Sequence, residues 1–242
     1  MKKVFITGSS KGIGYDIARK FVDSKKYFVY LNSRSKNVNI NKIIKCRNTT
    51  YFKCDVEKIA DVKKLAKNFN KRSLDTIICN VGGGRYNQKG FENIKDYQKS
   101  LSINFFSAIN IIYNLKDKLK KNSKIICISS IASKNICNAP LAYVVAKSAL
   151  NSFIVGFAKN FKFNKTSITG ILPGHTMHNN SVWRLKLKNN PKLIKKMKRE
   201  NMPTGEFVES VEIAELTFFV SELKGNSLNG SLIEAEGGIN TR

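Results

Sequence analysis

Short apolar runs of strand length alternate along this chain with stretches whose apolar residues recur at helical spacing. The runs lie at residues 3–7, 27–31, 50–54, 76–80, 124–129, 167–172 and 231–235. After the first run, Ile13, Ile17 and Phe21 fall four residues apart, as on one face of a helix. This alternation predicts a doubly wound parallel sheet of about seven strands with helices on both faces. Ligands bind such sheets beyond the carboxyl ends of the strands, so functional residues are expected there.

The length of the chain favours one α/β domain, residues 1–242, because sheets of this class commonly reach that size around a single core. No apolar run approaches the roughly 20 residues needed to span a bilayer. The apolar run at residues 4–7 meets a glycine and is too short for the core of a signal peptide. We therefore expect a cytoplasmic protein with no membrane partner.

The five cysteines give no sign of cross-linking or metal binding. They are Cys46, Cys54, Cys79, Cys127 and Cys137. Their number is odd, no two have Cys-x-x-Cys spacing, and most lie inside apolar runs, as small buried hydrophobic residues would. Neither disulfide bonds nor a bound metal ion is expected.

The net charge of +26, from 43 Lys and Arg against 17 Asp and Glu, is the most unusual bulk property. Such an excess can indicate a nucleic-acid or acidic partner. The lysines are spread along the whole chain and accompany many Asn and Ile residues, as codon bias in an AT-rich genome would produce. No nucleic-acid-binding motif is present, so a nucleic-acid partner is not expected.

A glycine-rich turn, residues 7–14, follows the first predicted strand and precedes a predicted helix. Glycines at Gly8, Gly12 and Gly14 let the backbone approach a pyrophosphate, and the helix N-terminus offers unpaired N–H groups to it. Glycines also serve plain turns, but this one lies between a strand and a helix, as a dinucleotide site requires.

The spacing Gly-x-x-x-Gly-x-Gly resembles that of the short-chain dehydrogenase/reductase family, and further matching motifs extend the likeness over nearly all 242 residues. The sequence is similar to the 3-oxoacyl-acyl-carrier-protein reductases of that family. The resemblance implies a Rossmann-type fold and a nicotinamide dinucleotide cofactor. By this resemblance the cofactor contacts are Gly8, Ser10, Lys11, Gly12, Ile13, Gly14, Ser33, Arg34, Asp55, Val56, Asn80, Gly82, Tyr143, Lys147, Pro173, Gly174 and Thr176. Asp55 could also cap the following helix, in place of the cofactor contact or in addition to it.

Four positions depart from the family's motifs. Cys79, Val81, His178 and Glu236 stand where Asn, Ala, Thr and Asp are usual. The resemblance places the bulkier Val81 on the cofactor wall. Because His178 replaces a threonine that would contact the nicotinamide carboxamide, backbone groups near Thr176 are expected to supply that contact.

The end of the second predicted strand indicates NADP(H) rather than NAD(H). An acidic residue there would bind the ribose 2′-hydroxyl and repel a 2′-phosphate. The chain has no acid in residues 32–35, and Ser33, Arg34 and Lys11 can together bind a phosphate. The alternative is that both cations are merely solvated in a lysine-rich chain.

Tyr143 and Lys147 lie four residues apart, so on a helix both project from one face. A nearby ammonium favours the phenolate and lowers the pKa of a tyrosine toward neutrality. Ser130 precedes Tyr143 by the family's thirteen residues. By resemblance Tyr143 is the general acid/base, Ser130 polarises the substrate oxygen, Lys147 tunes the phenol and binds ribose, and Asn104 organises a proton relay. Asn104 could instead be a satisfied structural polar group.

The segment 175–206 resembles the family's substrate lid. Between residues 184 and 199 it has eight basic residues and no acidic one, a denser run than elsewhere in the chain. One interpretation is a solvated helix. The other is a surface that attracts an anionic substrate or carrier.

Two predicted helices have more large apolar residues than one buried side needs. One face runs through Phe105, Ala108, Ile109 and Ile112, and the other through Leu150, Phe153, Ile154 and Phe157. Because family members pair these helices between subunits, the resemblance implies a homotetramer.

The substrate stays open, since one catalytic apparatus serves many carbonyl and alcohol substrates in this family and a fold does not fix a function. A 3-oxoacyl group on a carrier protein is the first hypothesis. A sugar or other small metabolite is the alternative, and a non-catalytic NADP-binding regulator is a third.

Overall fold

The computed structural model describes residues 1–84, 92–135, 139–160, 164–179 and 181–239. The strands are β1 Lys2–Ile6, β2 Tyr27–Ser33, β3 Thr49–Lys53, β4 Leu74–Cys79, β5 Leu119–Ile128, β6 Ser167–Pro173, β7 Thr176–Met177, β8 Val208–Glu209 and β9 Leu232–Ala235. The α-helices are α1 Gly12–Asp23, α2 Val38–Ile43, α3 Ile59–Ala66, α4 Ile94–Leu101, α5 Ser107–Leu115, α6 Leu141–Asn160, α7 Val182–Asn189, α8 Pro191–Asn201 and α9 Ser210–Glu222. A π-helical turn lies at Ser102–Phe106, and 3₁₀ turns lie at Lys116–Lys118 and Ile131–Ser133.

Seven of these strands form one parallel sheet in the order β3-β2-β1-β4-β5-β6-β9. The predicted doubly wound sheet of seven strands is therefore confirmed. Strand β5 begins earlier than the apolar run suggested, because Leu119 pairs with Leu74 ahead of a register shift. The strand order reverses between β1 and β4, and this reversal opens a crevice at the carboxyl edge of the sheet.

The two faces of the sheet carry separate apolar cores. Along β1, Val4 and Ile6 point into the core that contains α1 and α9, whereas Phe5 points into the core that contains α3, α5 and α6. Alternate residues of a strand face opposite sides of the sheet, so helices on both sides must cover it. Buried on both faces, the central strands are nearly continuous apolar runs.

Strands β7 and β8 form a small separate parallel ribbon that the sequence pattern did not indicate. Between them lie α7, capped by the Ser181 side chain, and α8, capped by Asn190 with Pro191 in its first turn. Helix α7 has no buried residue, and Ile194 is the buried residue of α8. These two helices form most of the predicted lid segment and stand at the surface.

Helix α6 is the one helix of the described residues that is long and apolar enough to cross a membrane, a feature that the search for apolar runs overlooked. Leu150 and Ile154 of α6 are buried against the sheet, and the helix also carries Tyr143 and Lys147. Its apolar character is that of a helix with a buried core face.

The two helix faces proposed for subunit contact contain both core residues and residues at the surface. Ala108, Ile112, Leu150 and Ile154 are buried in the chain's own core and cannot form an interface. Phe105, Phe153 and Phe157 are partly buried and contact one another as a row of aromatic rings, in a region where Phe106 and Tyr113 are exposed.

The four described cysteines are free thiols, and no group of three or more metal-ligating side chains occurs among the described residues. Cys137 lies outside the described residues.

Candidate active site

A cleft of about 620 Å³ lies at the carboxyl edge of the sheet. Most of the predicted site residues line it: Gly8, Ser10, Lys11, Gly12, Ile13, Gly14, Ser33, Arg34, Asp55, Val56, Asn80, Gly82, Tyr143 and Lys147. Pro173, Gly174, Thr176, Asn104 and Ser130 are not part of its lining. The cleft thus joins the glycine turn at one end to the Tyr143 helix at the other.

The glycine turn is held against the end of β4 by the side chain of Asn80. Its Nδ2 donates to the carbonyl oxygens of Thr7, at 3.2 Å, and Gly8, at 3.3 Å. Gly14, in the first turn of α1, packs against this amide so closely that a Cβ atom there would lie 2.2 Å from Asn80 Nδ2 and 2.3 Å from the Gly8 oxygen. A glycine at this position is what lets α1 start directly behind the turn.

Near the glycine turn, two cationic side chains of the cleft lining are exposed. Arg34 lies 3.8 Å from the Glu57 carboxylate, with 69% of its side chain exposed, and Lys11 is exposed as well. An exposed pair of this length contributes little stability, so Arg34 is available to another anion. The Ser33 hydroxyl donates to the Ser35 carbonyl.

Asp55 does not cap the next helix. Its carboxylate accepts from the backbone N–H of Glu57 at 3.3 Å and so caps the turn that precedes α3, whose N-cap residue is Lys58. Asp55 and Val56 still line the cleft. The cap alternative was therefore wrong for α3.

Asn104 lies, fully buried, in the π-helical turn between α4 and α5. Its Oδ1 accepts from the N–H of Gly83 at 2.9 Å, while its Nδ2 lies within hydrogen-bond distance of the carbonyl oxygens of Gly83 and Ser100. π turns occur often at functional sites because they redirect one side chain out of the helical pattern. Here the turn directs a carboxamide onto the loop after β4, so Asn104 is satisfied structurally in this structure.

Tyr143 and Lys147 lie one turn apart on α6, with the Lys147 Nζ 5.9 Å from the centre of the Tyr143 ring. The Lys147 side chain is buried, and its Nζ donates to the Ile128 carbonyl at 2.9 Å. Burial lowers the pKa of Lys147 to about 8, and the nearby Cys127 thiol acts in the opposite direction. A Cβ atom at Gly82 would lie 2.9 Å from Asn104 Oδ1 and 3.1 Å from Lys147 Nζ, so the amide and the ammonium meet at this glycine.

Ser130 begins the 3₁₀ turn after β5, and its hydroxyl accepts from the N–H of Ala132 at 3.2 Å. The turn is tied to α6 by Asn151, which accepts from the Ser129 hydroxyl and donates to that of Ser133. Asn151 therefore positions the Ser130 turn relative to the helix that carries Tyr143. Asn151 was not predicted from the sequence, where its one signal is a polar residue within an apolar helix.

The loop after β6 packs under the last strand. A Cβ atom at Gly174 would lie 2.7 Å from Cα of Glu236, which explains the glycine there. Thr176 is buried, donates its hydroxyl to the Gly174 carbonyl and belongs to β7. His178, by contrast, lines the cleft, as do Ser181 and Val182 at the start of α7.

Several further lining residues were not singled out from the sequence. They include Asn32, Ser35, Asn37, Glu57, Gly83, Gly84, Lys99, Ile103 and Ser129. Asn37 has a readable signal, because it is the N-cap residue of α2 and accepts from the N–H of Ile40. It also donates to the Ser10 carbonyl and so braces the glycine turn.

Known proteins with sequences similar to this chain agree with the predicted family. A family model described as short chain dehydrogenase matches residues 2–185. The fatty acyl-CoA reductase of Acinetobacter baylyi is 28% identical over 180 residues, which are 70% of this chain and 61% of that protein, so the match spans about three fifths of its length. The enoyl-[acyl-carrier-protein] reductase [NADH] FabI of Buchnera aphidicola is 24% identical, with 99% and 95% of the two chains covered.

Solved structures agree with this fold. A short chain dehydrogenase from Burkholderia cenocepacia, determined in complex with NADP, superposes with a TM-score of 0.84 at 19% identity, covering 99% of this chain and 98% of that one.

The contact between Gly14 and Asn80 yields a prediction about stability. Gly14→Ala should destabilise the protein by about 2 kcal/mol or more, because the methyl group overlaps packed backbone and amide atoms. Gly83→Ala is the matched control, since a Cβ atom there meets nothing within 4 Å. Urea unfolding of both variants measures the difference, and equal stabilities would contradict the packing argument.

Proposed function

Because the chain belongs to the short-chain dehydrogenase family, we propose that it is an NADP(H)-dependent oxidoreductase that transfers a hydride between nicotinamide and a carbonyl or alcohol carbon. One observation carries the proposal. Tyr143 and the buried Lys147 lie one helical turn apart in a cleft that begins at the glycine turn. This is the arrangement that a proton-coupled hydride transfer needs.

The glycine turn fits the diphosphate of a dinucleotide. Helix α1 has no side-chain cap and no acidic residue in its first turn, so its N-terminal N–H groups are open to an anion. The exposed Arg34 and Lys11 at the end of the cleft supply positive charge for a 2′-phosphate. The NADP complex of the Burkholderia relative supports the same choice.

The nicotinamide supplies the hydride chemistry when it is bound, and the protein supplies orientation and a proton. In reduction, Tyr143 donates its phenolic proton to the substrate oxygen. In oxidation, its phenolate removes the proton of the substrate hydroxyl. Lys147 lowers the pKa of that phenol through its charge. Ser130 holds the substrate oxygen, and Asn104 orders the path by which the proton is replaced.

We propose a carrier-bound or coenzyme-bound acyl group as the substrate class, in first place a 3-oxoacyl thioester on a carrier protein. The names of the Acinetobacter and Buchnera relatives, which concern acyl thioesters, support this choice. A sugar or other small metabolite is the second candidate, favoured by the departures at Val81, His178 and Glu236. A non-catalytic NADP-binding regulator is the third, and activity itself tests it.

The whole chain, residues 1–242, acts in this proposal as one domain with residues 175–206 as a substrate lid. Helices α7 and α8 expose most of the eight basic side chains of residues 184–199, and Ser181 and Val182 at the start of α7 line the cleft. That charge attracts an anionic substrate or its carrier. The solvated-helix alternative predicts no such effect.

We also propose a cytoplasmic homotetramer. The exposed side chains of Phe106, just before α5, and of Tyr113, which contacts the partly buried ring of Phe153 on α6, leave an apolar surface that a second subunit can cover. Light scattering checks the assembly state.

Removing the phenolic hydroxyl tests the chemistry. Tyr143→Phe should lower kcat by at least about 100-fold, because general acid catalysis contributes that much or more, while cofactor affinity changes little. Assays of NADPH oxidation with 3-oxoacyl thioesters, keto-sugars and simple ketones measure the first effect, and fluorescence titration measures the second. Undiminished turnover in this variant would remove Tyr143 from the mechanism.

Removing the proposed phosphate ligand tests cofactor choice. Arg34→Ala should weaken NADPH binding by about tenfold or more and NADH binding by less than about twofold, because a charge-assisted hydrogen bond is lost to one cofactor alone. Arg19→Ala, an exposed arginine on α1 outside the cleft, is the control. Equal losses for the two cofactors would show that Arg34 does not bind the phosphate.

Neutralising the lid tests the anionic substrate. The triple variant Lys195→Gln, Lys196→Gln, Lys198→Gln should lower kcat/KM about tenfold for an anionic substrate at low salt and little at high salt, since steering by exposed charges is screened. A neutral substrate should be unaffected.

The control for this experiment changes the same charge elsewhere. Lys63, Lys64 and Lys67 are exposed on and after α3, outside the cleft lining, and their replacement by Gln should leave kcat/KM unchanged. If the lid variant and the control behave alike, the lid is a solvated surface.

A further inference from the structure

His178 lies directly on the glycine turn. A Cβ atom built at Gly12 would lie 2.9 Å from Cε1, 3.1 Å from Nε2 and 3.2 Å from Nδ1 of His178. The three nearest atoms are those of the ring edge that contains both nitrogens, so this edge faces the start of α1. Both residues line the cleft. An imidazole that reaches the first residue of α1 from the far side of the crevice is within range of any anion bound there.

The start of α1 is a region of positive potential. Free N–H groups at a helix N-terminus act as roughly half a positive charge, and α1 has neither an acidic residue in its first turn nor a side-chain cap to offset it. The residue before Gly12 is Lys11, which adds a full charge. This positive potential attracts an anion to the place where the His178 ring lies.

A bound diphosphate brings negative charge next to the His178 ring. Two phosphate charges beside the imidazole favour its charged form, in which both ring nitrogens donate hydrogen bonds. The ordinary pKa of histidine, about 6.5, is close enough to neutrality for this change to move protons under working conditions. The other charged groups that line the cleft are Lys11, Arg34, Asp55, Glu57, Lys99 and Lys147.

We propose that His178 takes up a proton when the diphosphate of the cofactor binds at α1, and that this uptake makes cofactor affinity dependent on pH. The inference rests on the proposed NADP(H) function and adds to it a cofactor ligand that is itself titratable. The protonated ring pairs with the diphosphate and holds the start of the lid segment against the glycine turn. Lower pH then strengthens cofactor binding.

The chain offers a control, because it has two histidines. His175 packs against the Trp183 ring at 4.3 Å between centroids and does not line the cleft. Burial, with the nearby Lys186, lowers the pKa of His175 to about 4, so it carries no proton to exchange near neutrality. Lys147 can also change its protonation on binding, but it does so equally in wild type and in His178 variants.

Proton uptake is measured by isothermal titration calorimetry of NADP⁺ binding at pH 7 in Bis-Tris and in Tris, whose ionisation enthalpies differ and neither of which supplies a competing phosphate. A rise of about one unit from the ordinary histidine pKa of about 6.5 corresponds to roughly half a proton per bound cofactor at that pH. It also strengthens binding about eightfold at pH 6 but less than about 1.5-fold at pH 8. His178→Thr and His178→Gln should lose this share of the uptake and the pH dependence, whereas His175→Gln should keep both.

The possible results distinguish a failure of the His178 inference from a failure of the proposed function. If wild type binds NADP⁺ and the two His178 variants take up as many protons as it does, this inference fails and the proposed function stands. The same conclusion follows if the variants bind more tightly than wild type at every pH, because the ring would then merely obstruct the cleft. If wild type binds neither NADP⁺ nor NADPH, the proposed cofactor and the inference fall together. Thermal unfolding of each variant identifies any that misfold.

Discussion

All seven strands of the main sheet run in the same direction, and the chain achieves this by crossing over one face of the sheet between most pairs of neighbouring strands. Both faces are therefore buried, and the carboxyl ends of all the strands share one edge. The reversal of strand order between β1 and β4 separates the loops at that edge and opens the cleft. The glycine turn after β1, the loop after β4 and the turn after β5 meet there because the strands are parallel.

Side-chain carboxamides hold those loops together. Asn80 joins the glycine turn to β4, Asn104 joins the loop after β4 to the helix opposite, and Asn151 joins the turn after β5 to α6. Asn32 plays the same part between β2 and the end of β3. An amide both donates and accepts, so Asn32, Asn80 and Asn104 satisfy backbone groups that no strand pairs, and Asn151 pairs with two serine hydroxyls. These hydrogen bonds fix the positions of the loops around the cleft.

The sheet could be predicted because strands buried on both faces appear in the sequence as apolar runs. The placement of Tyr143 and Lys147 on one face of a helix followed from their spacing of four residues. The ribbon of β7 and β8 could not, since two residues per strand carry no periodicity. Spacing also could not tell what covers an apolar helix face, so Ala108 and Ile154 were assigned to a subunit contact although they are buried in the chain's own core. The role of Asn151 depends on a tertiary contact with the turn after β5, which local pattern does not contain.

The π-helical turn at Ser102–Phe106 has a consequence for how this chain compares with its relatives. A π turn contains one residue more than an α turn, and one residue is about 100° of rotation around a helix axis. The wide turn absorbs that extra residue, so α5 keeps the faces that a regular helix without the residue would give it, and the departure from the α-helical pattern is confined to the turn that contains Asn104. Deleting one residue here would restore regular hydrogen bonding and leave the faces of α5 in place, yet it would withdraw Asn104 from the loop that it holds. An alignment gap at this place in a relative would thus signal a changed site rather than a tolerated loss of length.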